Sequence, residues 1–149
     1  MTSLDTNILV AALVKGHERH KVAKEWITNQ ENRNDIAISE FILVELYTLL
    51  CNPKVLSKPL TTSESANVCQ NFRQHPHWRL FGFPSNSESL HEALWKEAEK
   101  PGIARRRIYD SRIGLSLLQQ GIQEFVTVNT KDFQGLGFKR VWNPLEGRE

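Results

Sequence analysis

Short apolar runs of β character alternate along this chain with longer stretches whose apolar positions recur at helical spacing. A first strand is predicted over about Thr2 to Asp5, followed by a helix from about Asn7 to Val14. Val22, Ala23, Trp26 and Ile27 fall on one face of His20–Gln30, an amphipathic helix. Asp35–Ile38 reads as a second short strand. Ser39 is an N-cap for a helix through Leu50, and Pro53 marks its exit. Thr61 and Glu64 have the spacing of a capping box, which opens a helix to about Arg73. Trp78–Phe83 is a third strand closed by Pro84, and Asn86 or Ser87 caps a helix to about Lys100. After the Pro101–Gly102 break, Arg105–Arg107 form a basic loop. Tyr109–Gln120 is the next helix, stopped by Gly121. Phe125–Asn129 and Lys139–Trp142 are the last strands. The alternation predicts an α/β fold: one domain over residues 1–149, with a central, mostly parallel sheet of about four to five strands flanked by helices.

Composition narrows the class only slightly. A chain of 149 residues with 40% hydrophobic content can bury a core without a disulfide or a structural metal. The net charge of +2 leaves nucleic acid open as a partner, since only the distribution of charge could decide. Cys51 and Cys69 have no CxxC or Cys/His ligand spacing, so they read as reduced thiols at the edge of the core, as expected in the cytoplasm. The N-terminus lacks a basic region and Asp5 interrupts its apolar stretch, so no signal peptide is expected. No run approaches the ~20 apolar residues of a membrane span.

The informative feature is acidic residues in apolar company. Glu45 sits inside Phe41–Leu50, where apolar side chains surround the helix on nearly every side, so it is expected to be buried. An unpaired buried carboxylate is costly, which leaves a salt bridge, a wet stripe or a functional site. Asp5 ends the first strand, where ligands gather in parallel sheets; it either caps the next helix or faces a cleft while Thr6 and Asn7 cap. Asp110 opens a helix, a favourable place for negative charge, and Asp132 follows a strand end, where it would suit a turn. Taken together, these positions converge on one edge of a parallel sheet. Four carboxylates meeting there would repel one another unless a cation intervened. Oxygen ligands without Cys or His clusters point to Mg²⁺ or Mn²⁺, ions that assist phosphodiester cleavage.

The segments Leu4-Asp5-Thr6-Asn7-Ile8-Leu9, Glu45 in its helix, Tyr109-Asp110-Ser111-Arg112-Ile113-Gly114-Leu115 and Val126-Thr127-Val128-Asn129-Thr130-Lys131-Asp132-Phe133 together resemble the PIN-domain family. Within it, the resemblance is to the VapC-like toxins of bacterial and archaeal toxin–antitoxin pairs. It implies a Mg²⁺- or Mn²⁺-dependent endoribonuclease acting on RNA of the tRNA or rRNA class, a VapB-like antitoxin partner, and a homodimer. Carried over, it assigns Asp5, Glu45 and Asp110 to the three metal-binding positions. Many relatives have a fourth acid where this chain has Asn129, and its nearest acid is Asp132. Either could complete the site, Asn129 through its carbonyl oxygen, and Thr127 offers a hydroxyl donor.

Phosphate contacts are expected from the run before Asp110, Arg106 and Arg107 in particular, and from Arg112, although a charge run also suits a solvated loop. Lys15, His17, Arg19, His20, Lys21 and Lys24 form a second basic stretch with the same two readings. His17 and His20 have HxxH spacing without an acidic or Cys partner, and with His75 and His77 are assigned to loops. The four tryptophans are expected on core faces or strand ends. Residues 54–102 carry no recognisable motif. The alternative to catalysis is an inactive PIN domain that binds RNA or protein. A phosphoacceptor role for Asp5 lacks the second acid two residues on, where Asn7 stands.

Overall fold

A computed structural model describes residues 1–146; the last three residues of the expected domain lie outside the described residues. The element order is β1 (Thr2–Leu4), α1 (Thr6–Leu13), α2 (His20–Gln30), β2 (Ile36–Ser39), α3 (Glu40–Leu50), α4 (Thr62–Arg73), β3 (Arg79–Phe81), α5 (Ser87–Ala98), α6 (Arg107–Gln119), β4 (Glu124–Val126), α7 (Thr130–Phe133) and β5 (Arg140–Trp142). Every strand pairing is parallel, in the order β3-β2-β1-β4-β5. The expected four to five mostly parallel strands are therefore five wholly parallel ones.

Right-handed crossovers to either side of β1 place α1–α4 on one face of this sheet and α5–α7 on the other. The packing agrees: α1 contacts α2 and α3, α3 contacts α4, and α5, α6 and α7 pack in series. With both faces covered, every residue of β1 and β2 is buried, including Thr2, Ser3 and Ser39. Leu4, Ile8, Ile36, Ile38, Phe125 and Val126 are wholly inaccessible at the centre of the core.

The helix boundaries follow local chemistry. Ser39 Oγ accepts from Phe41 N, Asn86 Oδ1 accepts from Ser89 N, and Thr61 with Glu64 forms the full capping box. Gly121 closes α6 at φ +89°, a conformation that side chains with a Cβ avoid. The strands are shorter than their apolar runs. β3 begins only after Trp78, which buries its ring and donates Nε1–H to the Gln30 carbonyl. β4 stops at Val126 because Thr127 and Asn129 enter a side-chain-bonded turn, not the expected extension to Asn129. Arg107 is the first residue of α6, not the end of a loop, and His20 is likewise the first residue of α2. Trp95 is 58% exposed, against the expected core face. Both cysteines are free and half-buried. In the motif-poor middle of the chain, α4 packs against α3, and α5 packs against α6.

Candidate active site

The strand order reverses between β1 and β4, since the chain runs outward to β3 on one side of β1 and returns to add β4 on the other. At such a switch point the connections diverge and leave a crevice at the carboxyl ends of the strands. Asp5 follows β1 and Thr127 follows β4, so the two meet across it. Asp5 N donates to the Val126 carbonyl at 2.9 Å, and Thr127 Oγ1 donates to Asp5 Oδ2 at 2.6 Å. Asn7 Nδ2 lies 3.2 Å from both Asp5 Oδ2 and Thr127 Oγ1, while Asn7 Oδ1 accepts from Val128 N. The two readings of Asp5 prove compatible. Its Oδ1 caps α1 by accepting from Thr6 N at 2.7 Å, while the carboxylate also lines the cleft.

Glu45 and Asp110 complete the acidic wall of a cleft of about 190 Å³ that Asp5, Asn7, His17 and Asn129 also line. Glu45 is half-buried, not buried. α3 turns Val44 outward at 64% exposure, so the apolar ring around Glu45 does not close. Burial raises the Glu45 pKa, and the enclosed Thr6 hydroxyl beside it opposes the rise. Asp5 is raised to about 7, chiefly by burial, with repulsion from Glu45 and Asp110 adding to it and the Thr127 hydrogen bond opposing it. Asp110 is raised to about 6 by burial, then by the charges of Glu45 and Asp132; Arg107 pulls it back. The three carboxylates thus feel one another although they come from β1, α3 and α6.

The remaining predicted residues separate by position. Asn129 lines the cleft and donates its backbone N–H to Thr127 Oγ1, whereas Asp132 acts on Asp110 by charge but forms no part of the cleft wall. Arg107 reaches from α6 to the Lys131 carbonyl at 3.3 Å, which ties the start of α6 to α7 beside Asp110. Arg106 is exposed. Arg112 lies over the Phe41 ring at 5.4 Å and is not part of the cleft wall. Two residues beyond Asp110, it stands roughly 200° from it around the helix. His17, read from sequence as part of a basic stretch and of an HxxH pair in a loop with no acidic partner nearby, is brought to the acids by the turn after α1.

Among the described residues no three His, Cys, Asp or Glu side chains are drawn tightly enough together to enclose an ion. The acids instead line an open wall. That geometry fits a small hard cation, which keeps several waters and takes only one or two carboxylates directly. The carboxylates and the side-chain oxygens of Asn7 and Asn129 supply oxygen donors, with His17 beside them. Burial with mutual repulsion raises the pKa values of Asp5 and Asp110, a charge arrangement that a bound cation would relieve. A separate apolar groove of about 660 Å³, between the end of α1 and α3–α4, carries no acid and stands apart from this chemistry.

A family model described as PIN domain matches residues 3–133, which takes in every one of these acids. The chain belongs to the PIN-domain family. It is 41% identical over 145 residues to Ribonuclease VapC24 of Mycobacterium tuberculosis, with 97% of each chain covered. Solved structures superpose on the chain at lower identity. FitAcB from Neisseria gonorrhoeae matches with a TM-score of 0.66 at 19% identity, covering 98% of this chain and 99% of that one. VapC20 of Mycobacterium tuberculosis, described as a sarcin-ricin loop cleaving toxin, matches at 0.61 and 19% identity over 84% and 87%. VapBC2 from Rickettsia felis, bound to a promoter DNA fragment, matches at 0.59 and 20% identity over 93% and 97%. These structures share the fold; the PIN assignment rests on the sequence matches.

Proposed function

We propose that this PIN domain is a divalent-metal-dependent endoribonuclease and the toxin of a VapBC-type toxin–antitoxin pair. The observation that carries the reading is the convergence of Asp5, Glu45 and Asp110 from three elements on the sheet's switch point, where each is held above its ordinary pKa. The extensive identity to a protein named as a ribonuclease supports it. Asp5, Glu45 and Asp110 would hold Mg²⁺ or Mn²⁺, with the Asn129 carbonyl the better-placed fourth oxygen, since Asn129 lines the cleft and Asp132 does not. The bound ion would supply a water activated for attack on a phosphodiester and charge stabilisation for the leaving oxygen. Thr127 and Asn7 keep Asp5 oriented, and Arg107 tempers the charge at Asp110. The cleft is smaller than the roughly 300–1,000 Å³ of small-molecule pockets, which suits one backbone unit of a polymer.

The substrate is RNA of the tRNA or rRNA class, and the partners are a VapB-like antitoxin and a second copy of the chain. Among the described residues no helix is long and apolar enough to cross a membrane. The decisive experiment incubates the protein with total tRNA and rRNA in Mg²⁺ or Mn²⁺. Cleavage should stop on chelation and fall at least a hundredfold, on the order of the 10²–10³ seen when one electrostatic group is removed, in Asp110→Asn. Undiminished cleavage by that variant would sink the reading. Asn129, uncharged where many relatives are acidic, favours one second reading, a PIN domain that binds without cutting. Calorimetry showing no Mn²⁺ affinity would select it.

A further inference from the structure

The cleft wall contains more acceptors than donors. Its three carboxylates can only accept when ionised, and the Asn7 amide N–H groups are engaged by Asp5 and Thr127. A phosphodiester entering here needs a donor that the acids do not supply. His17 is placed to be one. It stands in the turn between α1 and α2, half-buried, and the turn itself is ordered by backbone bonds from His17 N to the Val14 carbonyl and from His20 N to the His17 carbonyl, both at 3.0 Å.

The ring's proton is assigned by its neighbour. Arg19 N–H donates to His17 Nδ1 at 3.0 Å, so Nδ1 carries the lone pair and the neutral ring bears its hydrogen on Nε2. Metal coordination through Nε2 would require the opposite tautomer and would break the Arg19 bond. His20, three residues on, has the reverse arrangement: its Nδ1 faces the Ala11 carbonyl at 3.0 Å and so must be the donor. The HxxH pair therefore does not act as a chelate. One imidazole is turned back onto α1, and the other belongs to a residue that lines the cleft and keeps its Nε2–H free of the Arg19 bond.

We propose that His17 is a substrate-contacting residue that donates Nε2–H to a non-bridging phosphate oxygen of the RNA lodged against Asp5, Glu45 and Asp110. This rests on the reading of the cleft as a ribonuclease site. It predicts a binding role for His17, distinct from metal ligation and from general-base chemistry. Loss of the imidazole should weaken RNA binding about tenfold, as expected for a hydrogen bond to a charged group, while leaving metal affinity unchanged.

The test measures anisotropy of a short fluorescein-labelled single-stranded RNA of mixed sequence in Mn²⁺, using the cleavage-impaired Asp110→Asn protein with and without His17→Ala or His17→Gln. Calorimetric Mn²⁺ titration of the His17 variants in the otherwise native chain runs in parallel. The expected result is about tenfold weaker RNA binding for His17→Ala, recovery of most of it by His17→Gln, which restores an N–H donor, and unchanged Mn²⁺ affinity. Unchanged RNA affinity in His17→Ala, failure of Gln to recover any of it in a folded protein, or a parallel loss of Mn²⁺ affinity overturns the proposal. Cleavage by Asp110→Asn alone reports on the parent reading. If that variant still cuts at full rate the ribonuclease site is wrong, whereas normal RNA binding by His17→Ala beside a dead Asp110→Asn removes only the role of His17.

Discussion

Asp110 shows how a single side chain can serve chemistry at a cost to stability. In the first turn of α6 its charge is favoured by the helix N-terminus, yet burial and the Glu45 and Asp132 carboxylates together outweigh that benefit and lift its pKa to about 6. In the unfolded chain an aspartate ionises near its ordinary value of about 4. Between the two values the folded protein holds a proton that the unfolded chain has released, so stability declines as pH rises through this window and stays lower above it. In the metal-free protein Asp110→Asn should therefore be more stable than the native chain at pH 8, by about 1 kcal/mol once solvent screening of a half-exposed group is allowed for, with no gain at pH 4. Urea denaturation at the two pH values checks this. Equal midpoints at pH 8 would mean that the repulsion in the cleft is relieved in some other way. Asp5 shares the direction, with a rise to about 7, but an Asn there also perturbs the bond from Thr127 and is the less clean probe.

At the scale of elements, α3 is the part on which position depends most, because it carries Glu45 and is anchored at one end by Ser39. That serine is both the last residue of β2 and the N-cap, 2% exposed, with its Oγ accepting from Phe41 N at 3.1 Å. Ser39→Ala leaves that N–H without a partner where water hardly reaches, and should cost about 1 kcal/mol, or about 2–4 °C in melting temperature. A loss of only a few tenths by calorimetry would show the N–H to be solvated. Such boundaries were legible in the chain: Ser39, the Thr61–Glu64 box and Asn86 state their roles by residue type and spacing, and His20–Gln30 by its apolar stripe. What escaped reading depended on neighbours distant in sequence. An apolar ring around Glu45 says that the helix is packed, but not that the flank at Val44 is left open by the helices beside it. Strand ends were overextended because residue type does not show where a ladder stops: Thr127 N–H makes a last bond to the Trp142 carbonyl while its side chain already serves Asp5. The Arg105–Arg107 run gave its charge but not its division into exposed arginines and the tether at Arg107. His17 lies in a turn with no periodicity, so nothing short of the fold connects it to acids on three other elements.

For the whole molecule, the topology makes the site and the site weakens the molecule. The acids of the trio were each ambiguous in sequence, because a cap, a salt bridge and a ligand use the same side chain; only the reversal of strand order beside β1 gives them a common destination. Once gathered, their repulsion is borne by the global folding equilibrium, since β1, α3 and α6 belong to one core and cannot relax separately. A cation bound at the cleft should reverse this, and by linkage its effect must follow the ionisation of the acids. At pH 8, where Asp5 and Asp110 would otherwise be ionised at a cost, Mn²⁺ at a hundred times its dissociation constant should stabilise the fold by about 2.7 kcal/mol, or roughly 5–11 °C for a chain of this size. At pH 5, with the raised pKa values keeping both largely protonated, the ion must displace protons to bind, and the same concentration should give a much smaller shift. Differential scanning calorimetry with and without Mn²⁺ at the two pH values, on the native chain and on Asp110→Asn, separates a site effect from a general salt effect. The ion's benefit should be largest for the native chain at pH 8 and reduced in the variant; equal shifts in all four cases would place the bound ion elsewhere than among Asp5, Glu45 and Asp110.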